Sequence, residues 1–288
     1  RRNSQPAHGR TRIAGTVFPS ALQRIDAHSM RLFDAHNHLQ DNRFPDDTAS
    51  MLAECTEAGL VRMVVNGTRE SDWDMVAQLA GQHPQVIPSF GLHPWFVPER
   101  STDWLFRLEQ LLDAWPSAVG EIGLDRWKPG LPYDEQEEVF LAQLSLAARR
   151  DLPVSIHCLK SWGRLLELLR ENRTPDRGFL LHSYGGPAEM VEPLAKLGAY
   201  FGFPGYFAHE RNKRQREVFR RVPANRLLIE TDAPDQTLPE NRVTHPLGQG
   251  LNHPANIAAV YEAAAEALGQ APESLAEQAE ENFLRFFG

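Results

Sequence analysis

Eight short apolar runs alternate with longer amphipathic runs along almost the whole chain, and this alternation constrains the fold more than any other feature. The apolar runs are predicted strands, at about residues 31–39, 60–65, 86–90, 118–125, 152–157, 178–182, 199–203 and 227–232. The amphipathic runs are predicted helices, at about residues 49–58, 73–82, 102–114, 134–150, 160–171, 187–197, 213–221, 254–268 and 273–286. Strands that alternate with helices indicate parallel βαβ units.

The number of these units favours an α/β fold of the closed (β/α)8 type, a TIM-like barrel. Such a barrel usually has roughly 250 residues, so a chain of 288 residues suits one domain. A doubly wound open sheet would show a similar local pattern and is the structural alternative. No glycine-rich phosphate loop follows the first predicted strand, which weakens that alternative. We therefore expect residues 31–288 to form a single barrel domain.

The first 30 residues differ in character from the rest of the chain. Residues 1–31 contain six arginines and one aspartate, although the whole chain has a net charge of −8. They show no hydrophobic periodicity, so we expect residues 1–30 to form a basic, poorly ordered arm. An organellar transit segment, a nucleic-acid-binding tail and sequence upstream of a start at Met30 are the possible origins of this arm.

Composition limits the cellular compartments and the classes of protein that are compatible with this chain. No run of about 18 apolar residues is present, so we expect no membrane-spanning segment. Cys55 and Cys158 are too few for a disulfide scaffold and lack the spacing of a metal-binding knuckle. We therefore expect a cytoplasmic protein with two buried free thiols, and we favour a monomer.

Residue types that bind metals end five of the eight predicted strands. Each of them alone has an ordinary explanation, as a hydrogen-bonded core histidine, a surface acid or a turn aspartate. A barrel, however, brings the carboxyl ends of its strands to one rim, where their side chains can converge. The six residues are His36 and His38 of the first strand, Glu121 of the fourth, His157 of the fifth, His182 of the sixth and Asp232 of the eighth.

Four imidazoles and two carboxylates exceed the three protein ligands of a typical catalytic zinc. The set suits two divalent ions, with Glu121 as a bridge between them. The two histidines of the first strand and Asp232 would complete one site, while His157 and His182 would complete the other. Two ions roughly 3.5 to 4 Å apart can bind a phosphate oxygen between them and acidify a shared water. The sequence therefore predicts phosphoester hydrolysis with Mg²⁺, Mn²⁺ or Zn²⁺.

The motifs around these residues resemble those of the TatD-related metal-dependent hydrolases, and they occur in that family's order. The matching segments are DAHNHL (34–39), GLHP (91–94), GEIGLD (120–125), IH (156–157), LHSYGG (181–186) and IETDAP (229–234). They cover the chain from about residue 31 to its end. The resemblance implies a TIM-like barrel, a divalent-metal site and a deoxyribonuclease that acts on DNA, often by trimming 3′ ends. It also implies the metal ligands given above, with Asp232 and Glu121 as catalytic carboxylates and Asp232 as general base or acid.

Substrate contacts are harder to assign, because the chain departs from the family pattern in two places. The family often has an arginine two residues after the histidine of the fifth strand, and here Lys160 follows one position later as the candidate phosphate contact. A basic stretch that precedes the last helices in the family is GQGLNHP (248–254) in this chain. His93 and Tyr184 are further candidate substrate contacts.

Residues next to the ligands are candidates for support. Asp34 should face the same side of its strand as the two histidines, so we expect it to support them from deeper in the barrel without binding metal. Asp125 is a second candidate for support of a ligand. Candidate stacking surfaces for an unpaired base are Tyr184, Phe203, Tyr206 and Phe207.

Two alternatives to a nuclease remain at this stage. The same metal site would also suit an amide, a lactone or an aminoacyl ester, although Glu121 in place of a lysine disfavours the carbamylated-lysine amidohydrolases. A barrel scaffold with a vestigial site is the non-enzymatic alternative, and the presence of all six ligand types argues against it. The acidic body of the chain weakens the nuclease hypothesis, because nucleases commonly present basic surface to phosphates.

Overall fold

The structure is a computed structural model that describes residues 30–45 and 47–288. Within these ranges, eight parallel strands form one sheet in the order β1 to β8. The strands are β1 Leu32–Asn37, β2 Leu60–Asn66, β3 Val86–Phe90, β4 Ala118–Asp125, β5 Val154–Leu159, β6 Phe179–Leu181, β7 Ala199–Pro204 and β8 Leu227–Glu230. The predicted basic arm falls almost wholly on residues 1–29, outside the described residues, and stays a prediction.

The sheet closes where β8 lies beside β1. Just beyond β8, the backbone N–H of Asp232 donates to the carbonyl of His36 over 2.9 Å. The backbone N–H of His38 donates to the carbonyl of Ala233 over 2.8 Å. The predicted TIM-like barrel is therefore confirmed, and the closing bonds lie at the carboxyl ends of β1 and β8.

Helices cover the outside of this barrel and follow the predicted runs closely. They are α1 Thr48–Glu57, α2 Trp73–Gln82, α3 Trp104–Ala114, α4 Tyr133–Arg150, α5 Trp162–Glu171, α6 Val191–Lys196, α7 Lys213–Phe219, α8 Ile257–Leu268 and α9 Pro272–Phe287. Helix α6 is shorter than predicted and follows a separate 3₁₀ turn at Ala188–Met190, because Pro193 has no backbone N–H for a helix interior. Across the described chain, no helix combines the length and hydrophobicity that a membrane crossing requires.

Two apolar layers hold the barrel together. The larger layer lies between strands and helices, and both Cys55 and Cys158 are buried there as free thiols. The smaller layer fills the barrel interior and meets α9, whose Phe283 ring lies 4.9 Å from Phe33 and whose Phe286 ring lies 4.6 Å from Tyr200. Both partners lie near the starts of their strands, so α9 closes the amino-terminal end of the barrel. The opposite end is left for polar side chains.

Candidate metal centre

All six predicted ligands meet at the carboxyl-terminal end of the barrel. They come from, or directly follow, β1, β4, β5, β6 and β8, so the parallel arrangement brings them to one rim. All six side chains are at most 12% exposed. They are His36, His38, Glu121, His157, His182 and Asp232.

The first group of ligand atoms comes from β1 and the loop after β8. The Nε2 atoms of His36 and His38 are 3.3 Å apart. Oδ1 of Asp232 lies 3.6 Å from Nε2 of His36 and 3.5 Å from Nε2 of His38. Three ligand atoms therefore face one point, and their spacing would allow a single ion to bind all of them.

The second group forms around Glu121, which also contacts the first. Oε1 of Glu121 lies 3.0 Å from Nδ1 of His157 and 2.8 Å from Nε2 of His182. Oε2 of the same carboxylate lies 3.6 Å from Nε2 of His36 and 3.3 Å from Nε2 of His38. Glu121 thus turns one oxygen toward each group, which is the arrangement that a bridging carboxylate needs.

His93 is closer to this centre than the sequence suggested. Its Nε2 lies 3.5 Å from Oε1 of Glu121, and its ring is buried against that of His157. Its Nδ1 accepts a hydrogen bond from the backbone N–H of Trp95, so Nε2 is directed at the carboxylate. We predicted a substrate contact here; because Nδ1 accepts, the neutral ring carries its proton on Nε2, so His93 faces Glu121 with an N–H and offers no lone pair to an ion.

When the rings are neutral, as metal binding requires, hydrogen bonds to the far nitrogens of His38 and His157 leave the nitrogens that face the centre as lone pairs. Nδ1 of His38 lies 2.8 Å from the carbonyl oxygen of Asn66, which can only accept, so Nδ1 carries the proton. Nε2 of His157 lies 3.0 Å from the carboxylate of Asp125 and carries its proton for the same reason. In the neutral rings, the unprotonated nitrogens then face His36 and His182 at 3.3 Å. Lone pairs opposed in this way fit a divalent cation between them.

Burial and neighbouring groups shift the pKa values of the residues in the centre. Burial alone would raise the pKa of Glu121, but the charges of His182 and His93 and hydrogen bonds with the imidazoles hold that pKa well below its ordinary value. Burial alone would lower the pKa of His38, but hydrogen bonds with Asp232 and Glu121 hold it well above its ordinary value. Burial dominates at His93, whose pKa is well below the ordinary histidine value. The carboxylates of Glu121 and Asp232 are therefore ionised.

Asp34 takes the supporting position that we expected. It is fully buried one pleat below the histidines and accepts hydrogen bonds from the backbone N–H of His36 and from the Thr231 hydroxyl over 2.6 Å. Burial raises the pKa of Asp34 to about 7 despite these bonds. Asp34 thus ties the end of β1 to the loop after β8 and contributes no ligand atom to the groups described above.

A model of the TatD related DNase family matches residues 33–288. The chain belongs to this family. The 3′-5′ ssDNA/RNA exonuclease TatD of Escherichia coli K12 is 30% identical to it over 263 residues, which span 89% of this chain and 99% of the relative. The metal-dependent hydrolase YjjV of the same organism is 32% identical over 211 residues, which span 72% of this chain and 81% of the relative. The crystal structure of YjjV has a TM-score of 0.82 at 28% identity and covers 89% of this chain and 98% of that chain.

These matches confirm the predicted TatD-related hydrolase. The three candidate substrate contacts, however, lie in different environments in the structure. His93 reaches the metal centre, as described above. Lys160 is exposed beyond β5 and does not line the cavity above the centre. Tyr184 is fully buried, its hydroxyl donates to the carbonyl of Pro187, and its ring packs on Phe201, so it contributes to the core and not to the cavity.

A cavity of about 760 Å³ lies above the metal centre of this TatD-family chain. Its wall includes Trp127, which is 56% exposed, and Met75, which is 47% exposed. Arg69 also lines the cavity and lies 4.2 Å from the centre of the Phe96 ring. Lys128 is not part of the cavity wall but lies 4.4 Å from the centre of the ring of Trp95, which is part of it. The cavity therefore combines apolar surface with the guanidinium of Arg69, although the chain as a whole is acidic.

Several residues that orient the candidate ligands were not predicted from the sequence. Ser155 on β5 contacts Nδ1 of His36 over 2.7 Å, and the carbonyl of Asn66 at the end of β2 contacts His38. Glu230 lies 3.7 Å from Nδ1 of His182, and the amide of Gln236 donates to Asp232. The available signal was a polar residue inside an otherwise apolar strand, which describes Ser155 and Glu230 but not Gln236.

Proposed function

We propose that this protein is a divalent-metal-dependent nuclease that removes nucleotides from the 3′ ends of single-stranded DNA, with two ions in the centre. The observation that carries the proposal is the orientation of Glu121, which turns one oxygen toward each group of imidazoles. His36, His38 and Asp232 would hold one ion, and His157 and His182 the other. Two ions held there would polarise the scissile phosphate and acidify the attacking water.

The chain's own residues have separate tasks in this proposal. Asp232 would accept the proton of the attacking water, because its carboxylate is ionised and borders the cavity. Arg69 and Lys128 would contact backbone phosphates near the cavity wall, since both are cations held over aromatic rings. Trp127 would stack on a base of the unpaired 3′ end, because its exposed indole borders the same cavity.

The relatives support this choice of substrate. Several curated relatives carry the name 3′-5′ ssDNA/RNA exonuclease, and they match 89% of this chain. The predicted DNA substrate follows from that likeness, and the exposed aromatic surface of the cavity adds a physical reason to prefer unpaired over paired nucleotides. An unpaired base presents both faces for stacking, whereas a paired base is already stacked within the duplex.

The test is digestion of oligonucleotides with labels at either end, after removal of metal and addition of Mg²⁺, Mn²⁺ or Zn²⁺. A single-stranded oligonucleotide labelled at its 5′ end should yield a ladder that shortens from the 3′ end. A blunt duplex should be cut more slowly, and circular single-stranded DNA should remain intact. Panels of amide, lactone and aminoacyl ester substrates test the alternative chemistry with the same preparation.

Matched variants make this test specific. His157→Ala should lose nearly all activity, because it removes a predicted ligand. His83→Ala should keep full activity, because His83 ends α2 and precedes β3, at the opposite end of the barrel. Activity without metal, or equal activity in the two variants, would refute the proposed mechanism.

A further inference from the structure

The carboxylate of Asp232 has a hydrogen-bond donor on the side that faces away from the histidines. Its Oδ1 atom faces the Nε2 atoms of His36 and His38 at 3.6 and 3.5 Å. Its Oδ2 atom accepts a hydrogen bond of 2.6 Å from the side-chain amide of Gln236. Gln236 therefore restrains the rotation of this carboxylate and favours the orientation in which Oδ1 is directed at the metal centre.

The same amide nitrogen begins a chain of hydrogen bonds that runs in one direction. Its second hydrogen is donated to Oγ of Ser183 over 2.6 Å. The Ser183 hydroxyl donates in turn to Oε1 of Glu230 over 2.8 Å, and the Ser183 backbone N–H donates to the same oxygen. When ionised, the carboxylates of Asp232 and Glu230 can only accept hydrogen bonds. Each hydrogen bond in the chain therefore has only one possible donor. Only the amide nitrogen of Gln236, and not its oxygen, satisfies this pattern.

Glu230 ends the chain of hydrogen bonds beside the second ligand group. It is fully buried, and its Oε1 lies 3.7 Å from Nδ1 of His182, an atom with no hydrogen-bond partner within the described part of the chain. Gly202 leaves the space for this carboxylate, since a Cβ atom there would lie 2.0 Å from Oε2 of Glu230. Gln236, Ser183 and Glu230 thus connect the ligand Asp232 with the ligand His182.

Backbone conformation at the linked residues is also unusual. Asp232, Gln236 and Ser183 have φ angles of 51°, 49° and 45°, in the left-handed region that side chains rarely adopt. Each such residue costs free energy and persists only where its surroundings hold it. Asp235 is held as well, since Arg43 donates to both of its carboxylate oxygens over 2.9 and 2.7 Å. The segment from Asp232 to Gln236 is therefore tied down at both ends.

From these contacts we infer that Gln236 is a positioning residue for the metal centre, acting on Asp232 directly and on His182 through Ser183 and Glu230. The inference rests on the proposed function, because it assumes that both residues bind divalent ions. Partners that orient metal ligands typically change metal affinity or activity by about 10- to 100-fold when they are removed. Loss of the Gln236 amide should therefore weaken ion binding without unfolding the barrel.

The experiment compares Gln236→Met with Gln215→Met. Methionine is close in length to glutamine but has no donor for Asp232. Gln215 is a matched control, because it lies on α7 and its amide donates to the carbonyls of Tyr184 and Gly186, next to Ser183, without contacting a ligand. Free Mn²⁺ is measured by its electron paramagnetic resonance signal during titration of each protein. Thermal unfolding without metal shows whether each variant is folded.

We expect Gln236→Met to weaken Mn²⁺ binding by about 10-fold or more, and Gln215→Met to change it by less than about twofold. Ser183→Ala breaks the same chain at its next link and should weaken binding in the same direction. With saturating Mn²⁺, Gln236→Met should lower kcat and leave KM for single-stranded DNA near its original value. Mn²⁺ affinity within twofold of the unaltered protein, or equal losses in both glutamine variants, would overturn the inference.

The titration separates this inference from the proposed function. Mn²⁺ binding needs no substrate, so a protein that binds the ion but cuts no nucleic acid would refute the nuclease proposal and leave the role of Gln236 open to the same measurement. If the unaltered protein bound no Mn²⁺, the inference about Gln236 would be overturned together with the metal centre.

Discussion

Replacement of Trp127 by alanine should weaken the binding of unpaired DNA and leave the hydrolysis step itself unchanged. The backbone N–H of Trp127 donates to Asp125 over 2.7 Å, and alanine keeps that bond, so the substitution removes only the indole. Stacking of a base on an aromatic side chain contributes about 1–3 kcal/mol. Because 56% of Trp127 is exposed and the rest contacts the protein, we expect the lower part of that range.

A loss of about 1–2 kcal/mol corresponds to a fall of roughly 5- to 30-fold in kcat/KM. The assay measures 3′-end digestion of a single-stranded oligonucleotide, and of the same oligonucleotide with abasic sites at its last positions. The indole has no base to stack on in the second substrate, so Trp127→Ala should affect only the first. Phe106→Ala is the control, because Phe106 is 60% exposed but lies on α3 outside the cavity wall.

Three results would refute this reasoning. An equal loss on the abasic substrate would mean that the indole acts on the centre and not on a base. A change of less than twofold on the natural substrate would mean that no base reaches Trp127. A similar loss in Phe106→Ala would mean that exposed aromatic residues matter for another reason, such as the stability of the protein.

Three further predictions concern the ligands and the barrel. His36→Ala should weaken Mn²⁺ binding by at least about 10-fold, and far more than it lowers the melting temperature without metal; an unchanged affinity would contradict its role as a ligand. Asp125→Asn should lower Mn²⁺ affinity by about 10- to 100-fold, because the ring of His157 loses its anionic partner; titration checks this. Tyr261→Phe should lower the free energy of unfolding in urea by about 1–3 kcal/mol and leave activity unchanged, because the buried hydroxyl bonds both backbone groups of Phe33.

Much of the centre was predictable because parallel strands place their carboxyl ends together. His36, Glu121 and His157 lie far apart in the sequence, but each lies on a strand whose carboxyl end points to the same rim, so the barrel brings them together. The same reasoning placed Asp34 below the ligands, since side chains two residues apart share a face of a strand. Contacts within and between the irregular loops follow no such rule, which is why Gln236 was missed.

Local backbone turns account for the candidate contacts that the structure does not bring to the cavity. Ser183 has a φ of 45°, and the chain turns there, so Tyr184 enters the core although it follows the ligand His182 by only two residues. Lys160 has a φ of 53° and faces solvent. Spacing in the sequence cannot reveal such turns, because a left-handed residue other than glycine has no reliable sequence signal.

The sequence by itself determined the barrel, the family and the six convergent residues, because hydrophobic periodicity and strand order are properties of the chain read along its length. Only the tertiary structure decided how these candidate ligands are oriented. Glu121 turns its two oxygens toward different groups, and the carbonyl of Asn66 and the carboxylate of Asp125 decide which ring nitrogens face the centre. These orientations depend on distances of about 3 Å between side chains of different strands, which the folded barrel alone establishes.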